Sequence, residues 1–257
     1  MTSRRAPAPP VTALAALAAA LLLSACTPDL LGGGDQKTTR TATADATVTE
    51  AVTSVEIRNS RRGSIEVVPG TGPGVSVHRT VHYGGDTLPR PGQRISGGAL
   101  TFTDDCGDGT SCYVDYRLEV PAAARVKLGS SSGSITVTGV AEAELAASSG
   151  SVRAERISGA LRVSTSSGEI TGVALGGPSA AVHSSSGDAR LDFTGAPASV
   201  TAEASSGDVT LRVPGGPYRV DLTTSSGNRD VAVPTDPAAA ARLTVRTSSG
   251  DVRITAS

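Results

Sequence analysis

The residues able to do chemistry fall into three groups. Cys106 and Cys112 stand with five residues between them in DDCGDGTSC, crowded by Asp104, Asp105 and Asp108. His78 and His82 lie four apart, and His183 stands alone beside Ser184. Asp188, Asp208 and Asp251 each follow a Ser-Ser-Gly, a place held in other copies by Glu169 or Ser151. These types offer metal binding, acid–base or nucleophilic catalysis, and disulfide formation. Two cysteines with no second pair and no nearby histidine make a poor zinc set. The acidic loop lacks the ligand spacing of a calcium loop. Residues four apart on a strand are separated by about 13 Å, too far for one ion to hold both His78 and His82. No nucleophile elbow or comparable context surrounds the serines and histidines. The three aspartates could form an acidic ladder, and neighbouring rungs could bring carboxyls to the ~5–9.5 Å used in glycoside hydrolysis. The GGxGxD nonapeptides of calcium-binding β-rolls are missing. No catalytic residue, cofactor or metal is assigned on these grounds.

A repeat would position such groups. Ser-Ser-Gly occurs seven times, at Gly133, Gly150, Gly168, Gly187, Gly207, Gly227 and Gly250, in steps of 17, 18, 19, 20, 20 and 23 residues. A near-constant period of about 20 residues marks a stacked repeat protein. Apolar residues alternate with polar ones around each glycine. Leu161 and Val163 precede Gly168 and Ile170 follows; Val200 and Ala202 precede Gly207, and Val209, Leu211 and Val213 follow. Tyr218, Val220 and Leu222 precede Gly227; Leu243 and Val245 precede Gly250, with Val252 and Ile254 after it. Period-two alternation predicts half-buried strands. It extends to Val75–Tyr83, whose odd positions are mostly apolar. Each repeat reads as strand, Ser-Ser-Gly corner, strand and second turn, the last with its own glycine at Gly139, Gly159 and Gly172. One repeat buries too few aliphatics to offset the ordering of its backbone, so copies must stack at about 4.8 Å and merge their apolar stripes. The expected fold is all-β, a β-solenoid of 17–23-residue repeats. A meander of hairpins competes, disfavoured by the even period and the lack of Asn-Gly turns. At each corner glycine supplies a positive φ or a close approach, while serine hydroxyls satisfy backbone groups.

The front of the chain indicates where the repeat works. Arg4 and Arg5 precede an apolar run from Val11 to Leu23, too short to span a bilayer and suited to a signal peptide. It ends in Leu23-Ser24-Ala25-Cys26, which resembles the lipobox of bacterial lipoproteins. That resemblance implies a signal peptide over 1–25 and lipid on Cys26. Residues 26–51 are expected to form a flexible tether. Residues 52–257 are expected to form the solenoid, 52–125 as a divergent first half and 126–257 as the regular repeats. Gly63 and Gly98 read as worn copies of the corner; a separate small β domain over 52–125 is the alternative. With Cys26 lipidated, export favours a disulfide between Cys106 and Cys112, with metal in that loop as the rival. The net charge of −1 leaves no electrostatic footprint for nucleic acid. Aromatics make up 2% of the chain with no tryptophan, which disfavours stacking on sugars or bases.

Copies such as SSGSITVTGV, SSGEITGV, SSGDVTLRV and SSGDVRIT on a lipoprotein resemble the bacterial putative-adhesin family, a domain of unknown function with β-strand repeats. The resemblance covers residues 52–257 and is strongest over 130–257. It implies a right-handed β-helix-like solenoid exposed at the cell envelope, and it transfers no catalytic residues. The expected function is a lipid-anchored, extracytoplasmic, adhesin-like binding or structural module. It would be held at the membrane through Cys26 and meet cell-wall material, a glycan or a protein partner. An accessory sensor of an envelope stress-response system is the alternative, and a β-helix enzyme acting on polysaccharide is the third reading.

Overall fold

The computed structural model describes residues 39–104, 106 and 112–257. The expected signal peptide, Cys26, Asp105 and Asp108 lie outside the described residues. The first strands are β1 (Thr39–Val48), β2 (Ser54–Ser60), β3 (Ile65–Pro69), β4 (Val75–Gly84), β5 (Gly92–Ser96), β6 (Ala99–Thr103) and β7 (Tyr113–Val120). Two strands per repeat follow: β8 (Arg125–Ser130) and β9 (Ile135–Thr138), β10 (Glu142–Ala147) and β11 (Val152–Glu155), β12 (Leu161–Thr165) and β13 (Ile170–Leu175). Next come β14 (Ser179–Ser184) and β15 (Ala189–Phe193), then β16 (Ser199–Ser206) and β17 (Val209–Val213). The last are β18 (Arg219–Ser226) and β19 (Arg229–Ala232), then β20 (Arg242–Ser249) and β21 (Val252–Ala256).

In each repeat the first strand joins a 10-stranded sheet, the chain turns at Ser-Ser-Gly, and the second strand joins an 11-stranded sheet. Successive repeats pair parallel, with equivalent residues in register. This is a β-solenoid, not a hairpin meander. Every second side chain faces inward, so in-register stacking turns the alternation into continuous rows. One row of the 10-stranded sheet runs Val126, Ala143, Leu161, Ala180, Val200, Leu243. The opposing sheet contributes Ile135, Val152, Ile170, Ala189, Val209 and Val252, and both rows are buried. Gly172 belongs to β13 and not to a second turn. A Cβ there would come within 3.0 Å of the Leu191 and Leu175 side chains, so glycine leaves room for two leucines.

The stack departs from chain order at both ends. β20 and β21 are inserted between β16–β17 and β18–β19, so Gly227 lies beyond Gly250. The inward residues explain the exchange. Leu243, Val245, Val252 and Ile254 are fully buried and need cover on two sides. β19 instead places Arg229 in the row of Val209 and Val252, and a charge on that row is tolerable only at an end. At the other end β6–β7 lie outside β2–β3, followed by β5 on one sheet and β4 and β1 on the other. The antiparallel pairs among the described residues, β1–β4, β4–β7 and β5–β6, are confined to this end. Gly98 sits in the β5–β6 turn with φ +78° and is no solenoid corner.

The tether expectation over 26–51 needs correction, because residues 39–48 form β1 and pair along their length with β4. Ala42, Ala44 and Ala46 face inward there, opposite Val81, Arg79 and Val77. Their methyls are too small to stand out as an apolar stripe in the sequence.

The corners carry the tightest packing. From Gly63 through Gly133, Gly150, Gly168, Gly187, Gly207 and Gly250 to Gly227, each glycine backs onto the carbonyl of the preceding one. A Cβ on Gly133 or any later member would lie under 3.0 Å from that carbonyl. Among these eight, positive φ occurs at Gly207, Gly227 and Gly250, so close approach is the general requirement. Gly168→Ala is expected to cost more than about 2 kcal/mol, because two backbones must part. Gly215→Ala, whose Cβ would meet nothing within 4 Å, should change stability by less than about 0.5 kcal/mol. Urea unfolding of both variants measures the contrast.

Candidate functional site

The repeated corner is a four-residue unit, in which a serine, threonine or alanine precedes Ser-Ser-Gly. That first residue ends its strand facing inward: Ser130, Thr165, Ser184, Thr224 and Thr247 are buried, as is Ser60 before Arg61-Arg62-Gly63. The N–H groups of Gly133, Gly168 and Gly187 donate to Ser130 Oγ, Thr165 Oγ1 and Ser184 Oγ at 2.9, 2.9 and 2.8 Å. A buried hydroxyl thereby satisfies a buried donor. At the positive-φ corners the N–H of Gly207 and of Gly250 turns to the next rung instead, donating to Ser249 O and Ser226 O. The expected hydroxyl role therefore belongs to the residue before the pair. Its signal was present as the Thr or Ser that precedes most copies. The two serines of the motif are exposed in all seven copies. Their backbones join adjacent rungs, as where Ser149 N–H donates to Ser131 O at 2.9 Å. The result is a ridge of outward hydroxyls along one edge, with Arg61 and Arg62 in the serine places on the β2–β3 rung.

The three aspartates do come together on the stack, in a different role from free carboxyls. Asp208 N–H donates to Asp188 Oδ1 at 2.9 Å, and Asp251 N–H to Asp208 Oδ1 at 2.7 Å. Asn228 N–H donates to Asp251 Oδ1 at 2.8 Å, and its side-chain amide reaches the same carboxylate. Each carboxylate thus serves the next rung's backbone. At the opposite end Ser64 N–H donates to Asp115 Oδ1 at 2.7 Å. The Asn228 backbone N–H, then its amide, and then the charge of Arg253 hold the Asp251 carboxyl below its usual range.

The histidines likewise meet carboxylates and not each other. His78 Nδ1 pairs with Asp45 of β1, and His82 Nε2 lies 2.8 Å from Asp115 Oδ2 with its ring stacked on Tyr113 at 4.3 Å. His183 Nδ1 is 3.8 Å from Glu203. Cys106 and Cys112 are disulfide-bonded with Cα atoms 5.5 Å apart. Among the described residues no three histidine, cysteine or acidic side chains gather where a metal ion could sit. Arg79 escaped the sequence reading. It occupies an inward position of β4, 6% exposed, its guanidinium 5.2 Å from the Phe102 ring centre. It donates to Pro91 O and Gln93. Burial lowers its basicity and pushes the neighbouring Tyr116 hydroxyl up to about 12. The clue was an arginine at an odd, otherwise apolar place in Val75–Tyr83.

The outer faces carry ion pairs between neighbouring rungs. Lys127 Nζ lies 2.6 Å from Glu144, Arg242 2.6 Å from Asp221 and Arg246 3.2 Å from Glu203. On the other sheet Arg190 pairs with Glu169, Arg212 with Asp192 and Arg253 with Asp230. Exposed pairs contribute little stability one by one. Two shallow depressions of about 240 and 330 Å³ lie on the 10-stranded face, sharing Glu144 and Arg162. They are open troughs floored by small residues such as Ala160 and Ala181.

The family model described as Toastrack DUF4097 matches residues 96–255. Among solved structures, one from Bacteroides fragilis described as a putative adhesin aligns with a TM-score of 0.52 and 13% identity, covering 86% of this chain and 100% of its own. Another, from Clostridium sporogenes and described as a putative cell adhesion protein, aligns with a TM-score of 0.34 and 9% identity, covering 86% and 100%. The first shares the fold. No curated protein matches the chain.

The lowered Asp251 pKa has a definite sign in stability. Its contribution is complete above the unfolded carboxyl's value, about 3.9, and is lost as pH falls through the lower folded value. Asp251→Asn removes the titrating group, so its stability should fall less steeply below about pH 4 than that of the parent chain. Unfolding midpoints between about pH 2 and pH 6 check this, and equal slopes would refute it.

Proposed function

The chain belongs to the Toastrack DUF4097 family, and from that premise we propose that it is an adhesin-like binding or structural module of the cell envelope. Lipid on Cys26 holds it on the extracytoplasmic face of the membrane. The observation that carries this reading is how the polar groups are used. Buried hydroxyls and corner carboxylates are committed to holding rungs together. What the stack offers outward is extended: two flat, charge-balanced faces and a ridge of serine hydroxyls. Repeated weak contacts along such surfaces suit a long partner, where linked contacts raise avidity without a deep pocket. Cell-wall material, a glycan or a protein fits that description. β1 lies at one end of the 11-stranded sheet and β19 at the other, a span of roughly 50 Å at strand spacing. An anchor before β1 would therefore project the far end outward. The commitment of Asp188 and Asp208 to backbone bonds counts against the polysaccharide-cleaving alternative.

Two measurements test the proposal. Cys26→Ala should move the protein from the membrane fraction to the soluble fraction, and unchanged retention would sink the anchor. Cells carrying the chain should bind immobilised envelope material more strongly than cells lacking it. Equal binding would remove the adhesin-like role.

A further inference from the structure

We propose that the far end of the stack, the β18–β19 rung, docks a second copy of this chain tip to tip about a two-fold axis. The proposal rests on the surface-module reading and supplies it with a partner.

β18 and β19 end their sheets, each paired on one side only, with β20 and with β21. The start of the β18 edge is taken by a short segment of the same chain: Tyr218 N–H donates to Pro234 O and Asp236 N–H to Tyr218 O, both at 3.0 Å. Among the described residues, no other segment pairs with the rest of either edge. The inward rows run out into this surface. In the row Leu211, Ile254, Val231 the exposures are 0, 0 and 38%. Val231 is the exposed large hydrophobic residue among those described. Val220 and Leu222, which continue the rows of Leu243 and Val245, are half-buried. Arg229 covers the corner by donating to Thr224 O at 2.6 Å. Arg219, Asp221 and Asp230 complete the surround. An apolar centre with a polar rim is the usual anatomy of an interface.

The geometry selects the occupant. Two open edges lie on opposite sheets about 10 Å apart, so one extended peptide would complete one edge and leave the other. The same tip of a second copy presents both edges at that spacing. Turned by a half-rotation across the stack, it continues both sheets antiparallel and brings the two apolar centres together, an isologous contact. Charge permits it, because Asp221 and Asp230 are neutralised by Arg242 and Arg253 of the same chain. The two β1 ends then point apart, roughly 100 Å from each other at strand spacing. That arrangement suits copies held on facing surfaces.

Sedimentation of the full chain in detergent tests the contact. The parent chain should form a concentration-dependent dimer. Val231→Lys should weaken it at least tenfold, while Ser166→Lys on the hydroxyl ridge should leave it unchanged. Circular dichroism of Val231→Lys checks that the fold persists. A monomer at every concentration, open-ended fibres, or a dimer indifferent to Val231→Lys would overturn the proposal. Cell binding separates the two readings. Binding of immobilised envelope material by cells carrying a chain that sediments as a monomer at every concentration removes the tip contact and keeps the surface module. A tip dimer without any cell binding does the reverse.

Discussion

Backbone meets backbone at the corner glycines, and the rest of the structure depends on that contact. A strand spacing near 4.8 Å leaves no room for a Cβ where one rung's corner lies on the carbonyl of the next. Eight glycines, Gly63 to Gly227 in stack order, meet this condition. Because each corner must lie over its neighbour, the two strands leaving it are held in register. Register then decides which side chains form rows, and a slip of one residue would exchange the buried face for the wet one. The apolar core and the outward charge ladders are both consequences.

Polar groups flank that glycine column on both sides and give it direction. Inside, buried hydroxyls take up the N–H groups of Gly133, Gly168 and Gly187; outside, a carboxylate, a hydroxyl or, at Asn228, an amide follows the glycine. The outer column starts at Asp115, whose second oxygen faces His82, and finishes at Asn228. The end residue suits its place. Asn228 has an amide that donates back to Asp251 and adds a second bond to that carboxylate beside the backbone N–H. Groups that resemble a site in the sequence are thus largely members of a lattice of local bonds.

The ends obey a different constraint, since a solenoid has two surfaces that no further rung covers. At the β1 end, antiparallel strands and an inward Arg79 replace the regular rung. At the other, the rung with the least apolar interior is placed last although a more apolar one follows it in the chain. The cost of exposing Leu243, Val245, Val252 and Ile254 exceeds that of a longer connection over 233–241, since loop closure grows only slowly with length.

The repeat period and the alternation around each Ser-Ser-Gly determined the stacked all-β fold, the corner positions and most of the core, because in-register stacking makes local pattern and global packing the same statement. Gly63 was legible as a corner for this reason, and Val200, Leu211 and Ile254 as core. Three things were decided only by tertiary structure. The order of the last two rungs depends on comparing their burial, which no single repeat contains. β1 was hidden because alanines facing β4 carry too little apolar signal to announce a strand. The work of Asp188, Asp208 and Asp251 depends on the rung above, whose backbone N–H lies about 20 residues or more away along the chain but about 5 Å away in space. Sequence spacing shows which residues recur, and only stacking shows what each recurrence touches.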